Sequence, residues 1–391
     1  MNTIPSIPVR YKRFPSGYIN DVRGWGFNQQ IISEEEGRLL TLDLDFGSYC
    51  SLGCPACFQS DSTFKRDTSP KMSFDEMKQL VLDAKELGLR TVKFLGEGEP
   101  LQSVLFVSFL RFLHSEGIVP LIFTHGHVIG DDEEVARWNK IHGITTGEQL
   151  TQELYRLGAS IVLGFNSFDD DVQGNMVGRD VGFVKIRNRA LTLLVDAGFT
   201  REVPTRLALA VNPVGRQNVS DAFAIYKWAR LRNMYAVVTP SMISGKGRQN
   251  WKESNPTNNE LFALYTKIYS FNIETGLQTM DQIRDEGISS YAGGHPCNQV
   301  ATGLYIKQDG GVWSCPGSDS AAFMEGSLQK GDLSTIWNQS ENRKRAGVFN
   351  NRCIAKDGKS IPRDLYKSVL HKLELKFSSS RRIEIPASAH P

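Results

Sequence analysis

Between residues 39 and 240 the chain alternates six times between a short apolar run and an amphipathic stretch of helical period. No other feature restricts the fold as much. The runs are "LTLDLDF", "RTVKFL", "VPLIFT", "SIVLGF", "TRLALAVN" and "MYAVVTP". In the first, Leu40, Leu42, Leu44 and Phe46 alternate with Thr41, Asp43 and Asp45, the period of a strand. We read it as the second arm of a hairpin in "IISEEEGRLLTLDLDF" that turns at Glu36-Gly37. The helical stretches carry their own boundaries. Ser73 and Glu76 form a capping box, Phe74, Met77, Leu80, Val81, Ala84 and Leu87 make one apolar stripe, and Gly88 ends it. Strands separated by helices pair in parallel through right-handed crossovers, so the expected fold is α/β, a partial (β/α)6 TIM-like barrel. Reactive groups in such folds gather at the C-terminal ends of the strands.

Beyond about residue 250 the rhythm changes. "NNELFALYTKIYSF" reads as a helix and "ATGLYIKQDGGVWSC" as a hairpin turning at Asp309-Gly310. The chain thus divides into an extension (1–38), the barrel (39–249), a small α+β domain (250–377) and a flexible polar tail (378–391), where Arg381-Arg382 is solvated charge. Its 45 Lys and Arg nearly balance 43 Asp and Glu, which gives no electrostatic footprint for a long nucleic acid. The opening "MNTIPSIPVRYKRFPSG" lacks the apolar core of a secretory signal. No apolar run approaches the ~20 residues of a membrane span. The expected location is the cytoplasm, without a membrane partner.

"DFGSYCSLGCPACFQS" follows the first strand and packs Cys50, Cys54 and Cys57 into one loop. Only Cys297, Cys315 and Cys353 remain, an uneven set that suits metal better than a disulfide framework. Zinc closes its tetrahedron with a fourth ligand, and the closest histidine is His114. A redox dithiol at Cys54 and Cys57 leaves Cys50 idle. An iron–sulfur cluster on three cysteines uses all of them and leaves one iron open for another ligand.

The spacing Cys50-x3-Cys54-x2-Cys57 after the first strand resembles the motif of the radical SAM superfamily. The resemblance implies a [4Fe-4S] cluster whose open iron chelates the amino and carboxylate groups of S-adenosylmethionine (SAM). Reduction by a flavodoxin- or ferredoxin-type donor then yields methionine and a 5′-deoxyadenosyl radical that abstracts hydrogen from substrate. Family members commonly carry an aromatic before the third cysteine; here Ala56 stands there, and Phe58 is the candidate to cover the cluster. Gly98, Glu99 and Pro100 of "FLGEGEPLQ" match the family's loop for the SAM amino group, a task that suits a carboxylate. Thr124-His125-Gly126 stands where the family often has Thr-Asn-Gly, which makes Thr124 a cofactor-site candidate. His125 and His127 read as a hydrogen-bonding pair and not as metal ligands. Asn166 and Ser167 of "GFNSFDDD", and Asn212 ending the fifth strand, are candidates for SAM contacts. Asp169, Asp170 and Asp171 read as solvated, and "SGKGR" lacks the spacing of a phosphate-binding loop.

The spacing of Cys297, Gly310 and Cys315, with "GSLQKGDLSTIW" ending at Trp337, resembles the SPASM/twitch extension of one branch of these enzymes. With Cys353 it implies a twitch-type domain and one auxiliary [4Fe-4S] cluster, its fourth ligand being substrate, water or His295. Other readings of Cys353 are a buried thiol without a cluster, or a hydrogen-atom donor to a substrate radical. The resemblance covers roughly residues 35 to 355. Many peptide-modifying members carry an N-terminal leader-binding domain, whereas fewer than 40 residues precede the first strand here. The expected substrate is therefore a small molecule of sugar or aminocyclitol type, oxidised or epimerised. Thioether or carbon–carbon crosslinking of a peptide is the alternative. A non-catalytic iron–sulfur or zinc protein is an answer of another class.

Overall fold

The computed structural model describes residues 4–58, 71–180, 182–346 and 353–378. Six strands lie side by side in chain order: β1 (Thr41–Leu44), β2 (Thr91–Phe94), β3 (Val119–Thr124), β4 (Ser160–Gly164), β5 (Leu207–Val214) and β6 (Tyr235–Pro240). Every neighbouring pair is parallel. The crossovers include the helices Phe74–Glu86, Phe106–Ser115, Gly147–Arg156, Gly182–Asp196 and Val219–Arg230. Helix Phe74–Glu86 begins with the expected capping box at Ser73 and Glu76. Strand periodicity sorts the apolar side chains into two cores. Leu42, Leu44, Val92, Ile161 and Leu209 belong to the large core that the helices cover. Leu121, Val162, Ala208, Tyr235 and Val237 form a separate cluster on the inner face.

The sheet does not stop at β1. Strand β7 (Gly303–Ile306) pairs with it in parallel, Thr41 opposite Gly303, and the expected hairpin leads to β8 (Gly311–Trp313) and on to antiparallel β9 (Met324–Ser327). The smaller α+β region thus extends the barrel's own sheet, and the 249/250 division falls inside the helix Gly245–Ser254.

The expected first hairpin arm is instead a helix, Gln29–Glu34. Asn28 caps it, Oδ1 accepting from the Ile31 amide at 2.8 Å, and Ile32 is its buried residue. Ile31 and Ile32 adjoin without polar alternation, so nothing opposes the cap. Gly37, at φ +84°, then turns the chain toward β1, and its carbonyl accepts from Trp337 Nε1 at 2.8 Å.

The N-terminal extension enters the fold without any periodicity to announce it. Val22 is fully buried and bridges to Thr205, while the Trp25 ring packs on Phe123 and Tyr291 at centroid distances of 5.8 and 5.2 Å. These residues join the inner-face cluster. Among the described residues no helix is long and apolar enough to cross a membrane. Apart from Ser378, which ends the helix Leu365–Ser378, the proposed tail with Arg381-Arg382 lies outside the described residues.

Candidate active site

The inward positions of β1 are polar, and Asp45, one residue past its end, organises the site. Asp45, 1 % exposed, accepts through Oδ1 from the Glu97 amide at 2.9 Å and from the Tyr305 hydroxyl at 2.8 Å. This fastens the "GEGEP" loop to the end of β1. Burial pushes the Asp45 carboxyl up to about 7, with the Glu97 and Tyr305 hydrogen bonds acting against it. The loop then folds tightly onto the cysteine segment. The Glu99 amide donates to the Tyr49 carbonyl at 2.8 Å, and Gly98 sits at φ +81° where an added Cβ would lie 2.7 Å from the Gly47 carbonyl oxygen.

Glu99 is 4 % exposed. Its carboxylate accepts from Thr124 Oγ1 at 2.9 Å and from the amides of Leu101 and His125 at 3.4 Å each. Burial pushes it up to about 7 even so. His127 Nδ1 stands 3.9 Å away, yet burial holds that imidazole down to about 3, so it is neutral and no counter-ion. Among the described residues Glu99 therefore has no cationic partner. A buried carboxylate in this position receives an ammonium group favourably.

The cysteine loop is held from three sides. The Gly53 amide donates to the Val177 carbonyl at 3.2 Å, and Leu52 packs with Val177 and Phe183. The Ser51 hydroxyl lies 3.2 Å from His127 Nε2 and accepts from Gln102 Nε2 at 2.9 Å. On the far side the "SGKGR" segment acts as a clamp: the Gly247 amide donates to the Cys57 carbonyl at 3.3 Å. An added Cβ at Gly245 would lie 2.7 Å from the Phe58 carbonyl oxygen.

Cys50, Cys54, Cys57, Phe58, Gly98, Glu99, Pro100, Thr124, Asn166 and Asn212 all line one cleft, open to solvent, at the C-terminal ends of the strands. Ser167 does not. Its hydroxyl donates to Asp221 and accepts from the Asp169 amide at 2.9 Å, a role in the following helix cap. Asn166 Oδ1 accepts from the Asn212 amide at 3.1 Å, which ties the ends of β4 and β5 together. Asp169 and Asp171 are exposed, as expected, and Asp170 is half-buried. His125 also lines the cleft, Nε2 3.7 Å from Cys54 Sγ, and burial holds it down to about 4.

A second, smaller cavity is lined by Cys297, Cys315 and Cys353 together. Among the described residues, Cys353 is not in the lining of the cleft of the first three thiols. His295 is directed at Glu286, Nδ1 to Oε2 at 3.0 Å. All six cysteines are free. Among the described residues, no trio closes to the spacing of a site for a single metal ion. Burial pushes Cys50 up to about 12, Cys54 higher, Cys297 up to about 11 and Cys315 well above the ordinary thiol value. The neighbouring sulfurs raise Cys54 and Cys315 further. Burial this strong disfavours the thiolate form, so the sulfurs of both trios would ionise only beside a cationic partner such as a metal centre.

Sequence reasoning missed Asp45, Tyr305 and Trp25. Asp45 was visible as an inward polar strand position; Tyr305 and Trp25 depend on the β1–β7 pairing and on the threaded extension.

The parallel sheet, the cysteine loop after β1 and the C-terminal hairpin together give a fold shared with solved structures of low sequence identity. The fold is similar to that of anSMEcpe with bound AdoMet (TM-score 0.58, 15% identity, 88% of this chain and 97% of that one). It is also similar to Streptococcus suis SuiB bound to precursor peptide SuiA (TM-score 0.55, 15% identity, 81% and 68%). A third is anSMEcpe with AdoMet and the Cp18Cys peptide (TM-score 0.56, 14% identity, 87% and 98%). No protein-family model and no curated protein sequence matches the chain.

Proposed function

We propose that this chain is a radical SAM enzyme. The observation that carries the reading is the buried Glu99 carboxylate, without a cation of its own, in the same cleft as Cys50, Cys54 and Cys57. These three cysteines would hold a [4Fe-4S] cluster, and Cys297, Cys315 and Cys353 an auxiliary one. When bound and reduced by a flavodoxin- or ferredoxin-type donor, the first cluster supplies the electron that cleaves SAM to methionine and a 5′-deoxyadenosyl radical. Glu99 receives the SAM amino group, Thr124 fixes the orientation of that carboxylate, and Asp45 fixes the loop that carries it. Phe58, Asn166 and Asn212 border the cofactor. Trp25 and Tyr291 wall the cleft on the inner side.

We put first a small polar substrate of sugar or aminocyclitol type, oxidised or epimerised. The barrel interior beyond Trp25 carries Asp43, Lys93 and Gln299, and such groups orient a hydroxylated molecule. Peptide crosslinking is the second reading, favoured by the peptide complexes of SuiB and anSMEcpe. The test is anaerobic incubation of the reconstituted, reduced protein with SAM, followed by mass spectrometry. Formation of 5′-deoxyadenosine by the wild type, and not by a Cys50→Ala variant, is expected. Intact SAM in both would overturn the proposal.

A further inference from the structure

Asn166 lines the cleft, 2 % exposed, with all but one of its polar groups committed. Its amide donates to Gln173 Oε1 at 2.7 Å, its carbonyl accepts from Asn218 Nδ2 at 2.9 Å, and its Oδ1 accepts from the Asn212 amide at 3.1 Å. A backbone N–H can only donate, so the Asn212 bond fixes which end of the Asn166 side chain is oxygen. Nδ2 is left as the uncommitted donor on the cleft wall.

The hold on Asn166 comes from behind that wall. Gln173, on the helix Asp170–Val177, is completely buried and gathers several donors on Oε1. They are the Asn166 amide, the Ser167 amide at 3.3 Å and Arg187 Nη1 at 2.9 Å. None of these groups can accept, so the Gln173 amide is fixed as well, and its Nε2 is buried without a hydrogen-bond partner. An unmet buried donor destabilises the fold, yet turning the amide over would release Asn166. Arg187, on the helix Gly182–Asp196, is 2 % exposed. It donates through Nε to Asn188 Oδ1 at 2.8 Å and lays its guanidinium 3.7 Å from the Phe165 ring centroid. Among the described residues it meets no carboxylate at ion-pair distance, and Asp170 acts on it only from farther away. A buried cation of this kind adds little to stability, while its bond to Oε1 locks Gln173 in place. We propose that Gln173, locked by Arg187, is a positioning residue for the cofactor and holds Asn166 so that Nδ2 donates to SAM. The inference rests on the reading above in which Asn166 borders SAM. Neither Gln173 nor Arg187 lines the cleft, so both act through Asn166.

The test uses reconstituted full-length wild type, Asn166→Ala, Gln173→Glu, and a double variant that combines Gln173→Met with Arg187→Met. SAM affinity is measured by calorimetry, and amide hydrogen exchange over residues 164–169 by mass spectrometry. The double variant replaces both partners with apolar chains of similar length, so it is expected to fold and to keep the wild-type iron content. Its SAM affinity is expected to fall about three- to tenfold, the worth of one hydrogen bond, with faster exchange in that segment. Asn166→Ala is expected to lose at least as much affinity. Gln173→Glu keeps the acceptor and gives Arg187 a counter-charge, so wild-type affinity and exchange with a higher melting temperature are expected. Wild-type affinity in the double variant, beside weakened binding in Asn166→Ala, overturns the role of Gln173 and leaves the SAM site standing. Unchanged affinity in Asn166→Ala overturns the cofactor reading of Asn166 and the proposal with it. A wild type that does not bind SAM overturns the underlying function as well. If the double variant does not fold, Gln173→Glu decides alone: wild-type affinity supports the proposal, and affinity as weak as that of Asn166→Ala overturns it.

Discussion

Asp45→Asn isolates the energetics of the residue that anchors the site. Both hydrogen bonds to the carboxyl, from the Glu97 amide and the Tyr305 hydroxyl, reach Oδ1. An asparagine Oδ1 has lone pairs for both, so the substitution keeps the anchor and removes only the ability to ionise. Burial raises the folded-state pKa from the ordinary 3.8 to about 7. The folded state therefore holds the proton more tightly than the unfolded one. The contribution of Asp45 to wild-type stability is full below about pH 4, falls as pH rises through the window from about 4 to about 7, and then levels off. At 1.36 kcal/mol per pH unit, the full loss is about 4 kcal/mol before relaxation of the site, and 2 to 4 kcal/mol is the expected range. The variant escapes this loss. In urea denaturation of cluster-free protein it should exceed the wild type by about 2 to 4 kcal/mol at pH 8 and match it near pH 4. A difference independent of pH, or a variant weaker at pH 8, would refute the reasoning.

Three further perturbations follow from the same geometry. If Glu99 receives the SAM amino group as proposed, Glu99→Gln would weaken that charge-assisted bond, and SAM affinity by calorimetry should fall about 10- to 100-fold with iron content unchanged; unaltered affinity would detach Glu99 from the cofactor. Gly96→Ala places a Cβ 1.6 Å from Asp45 Oδ1 and 2.8 Å from its Cγ. It should cost about 1 to 3 kcal/mol in thermal denaturation, and an effect near zero would contradict the packing of that loop. Trp25→Ala removes a side chain that lines both the cleft and the interior cavity beyond it. Trp25 is half-buried, so a loss of about 1 to 3 kcal/mol in denaturant is expected, against less than about 0.5 kcal/mol for Val9→Ala on the surface.

The parts of this fold that sequence makes legible are those fixed by short-range physics. Alternation at Leu40 to Phe46 places β1, and the Ser73 and Glu76 box places the first crossover helix, because each depends on neighbours a few residues away. The cysteine spacing and the glycines of "GEGEP" are local as well. What stays hidden depends on distant partners. The pairing of β1 with β7 joins residues 260 positions apart at Asp45 and Tyr305, and neither strand's composition names the other. Trp25 and Val22 lie in a stretch without period, so their place on the inner face is decided by the space the barrel leaves. "IISEEE" shows how a cap overrides an apolar pair: Asn28, not the isoleucines, sets the helix. Ser167 and Asn166 are adjacent in sequence, yet Asn166 lines the cleft and Ser167 meets Asp221.

The central claim, that each cysteine trio holds a cluster, is tested most directly by iron and labile sulfide. Both are measured after anaerobic reconstitution of the wild type and of a combined Cys50→Ala, Cys54→Ala, Cys57→Ala variant. About eight irons falling to about four is the expected result, with the remainder on Cys297, Cys315 and Cys353. Zinc without iron, or an iron content that the variant leaves unchanged, would contradict it.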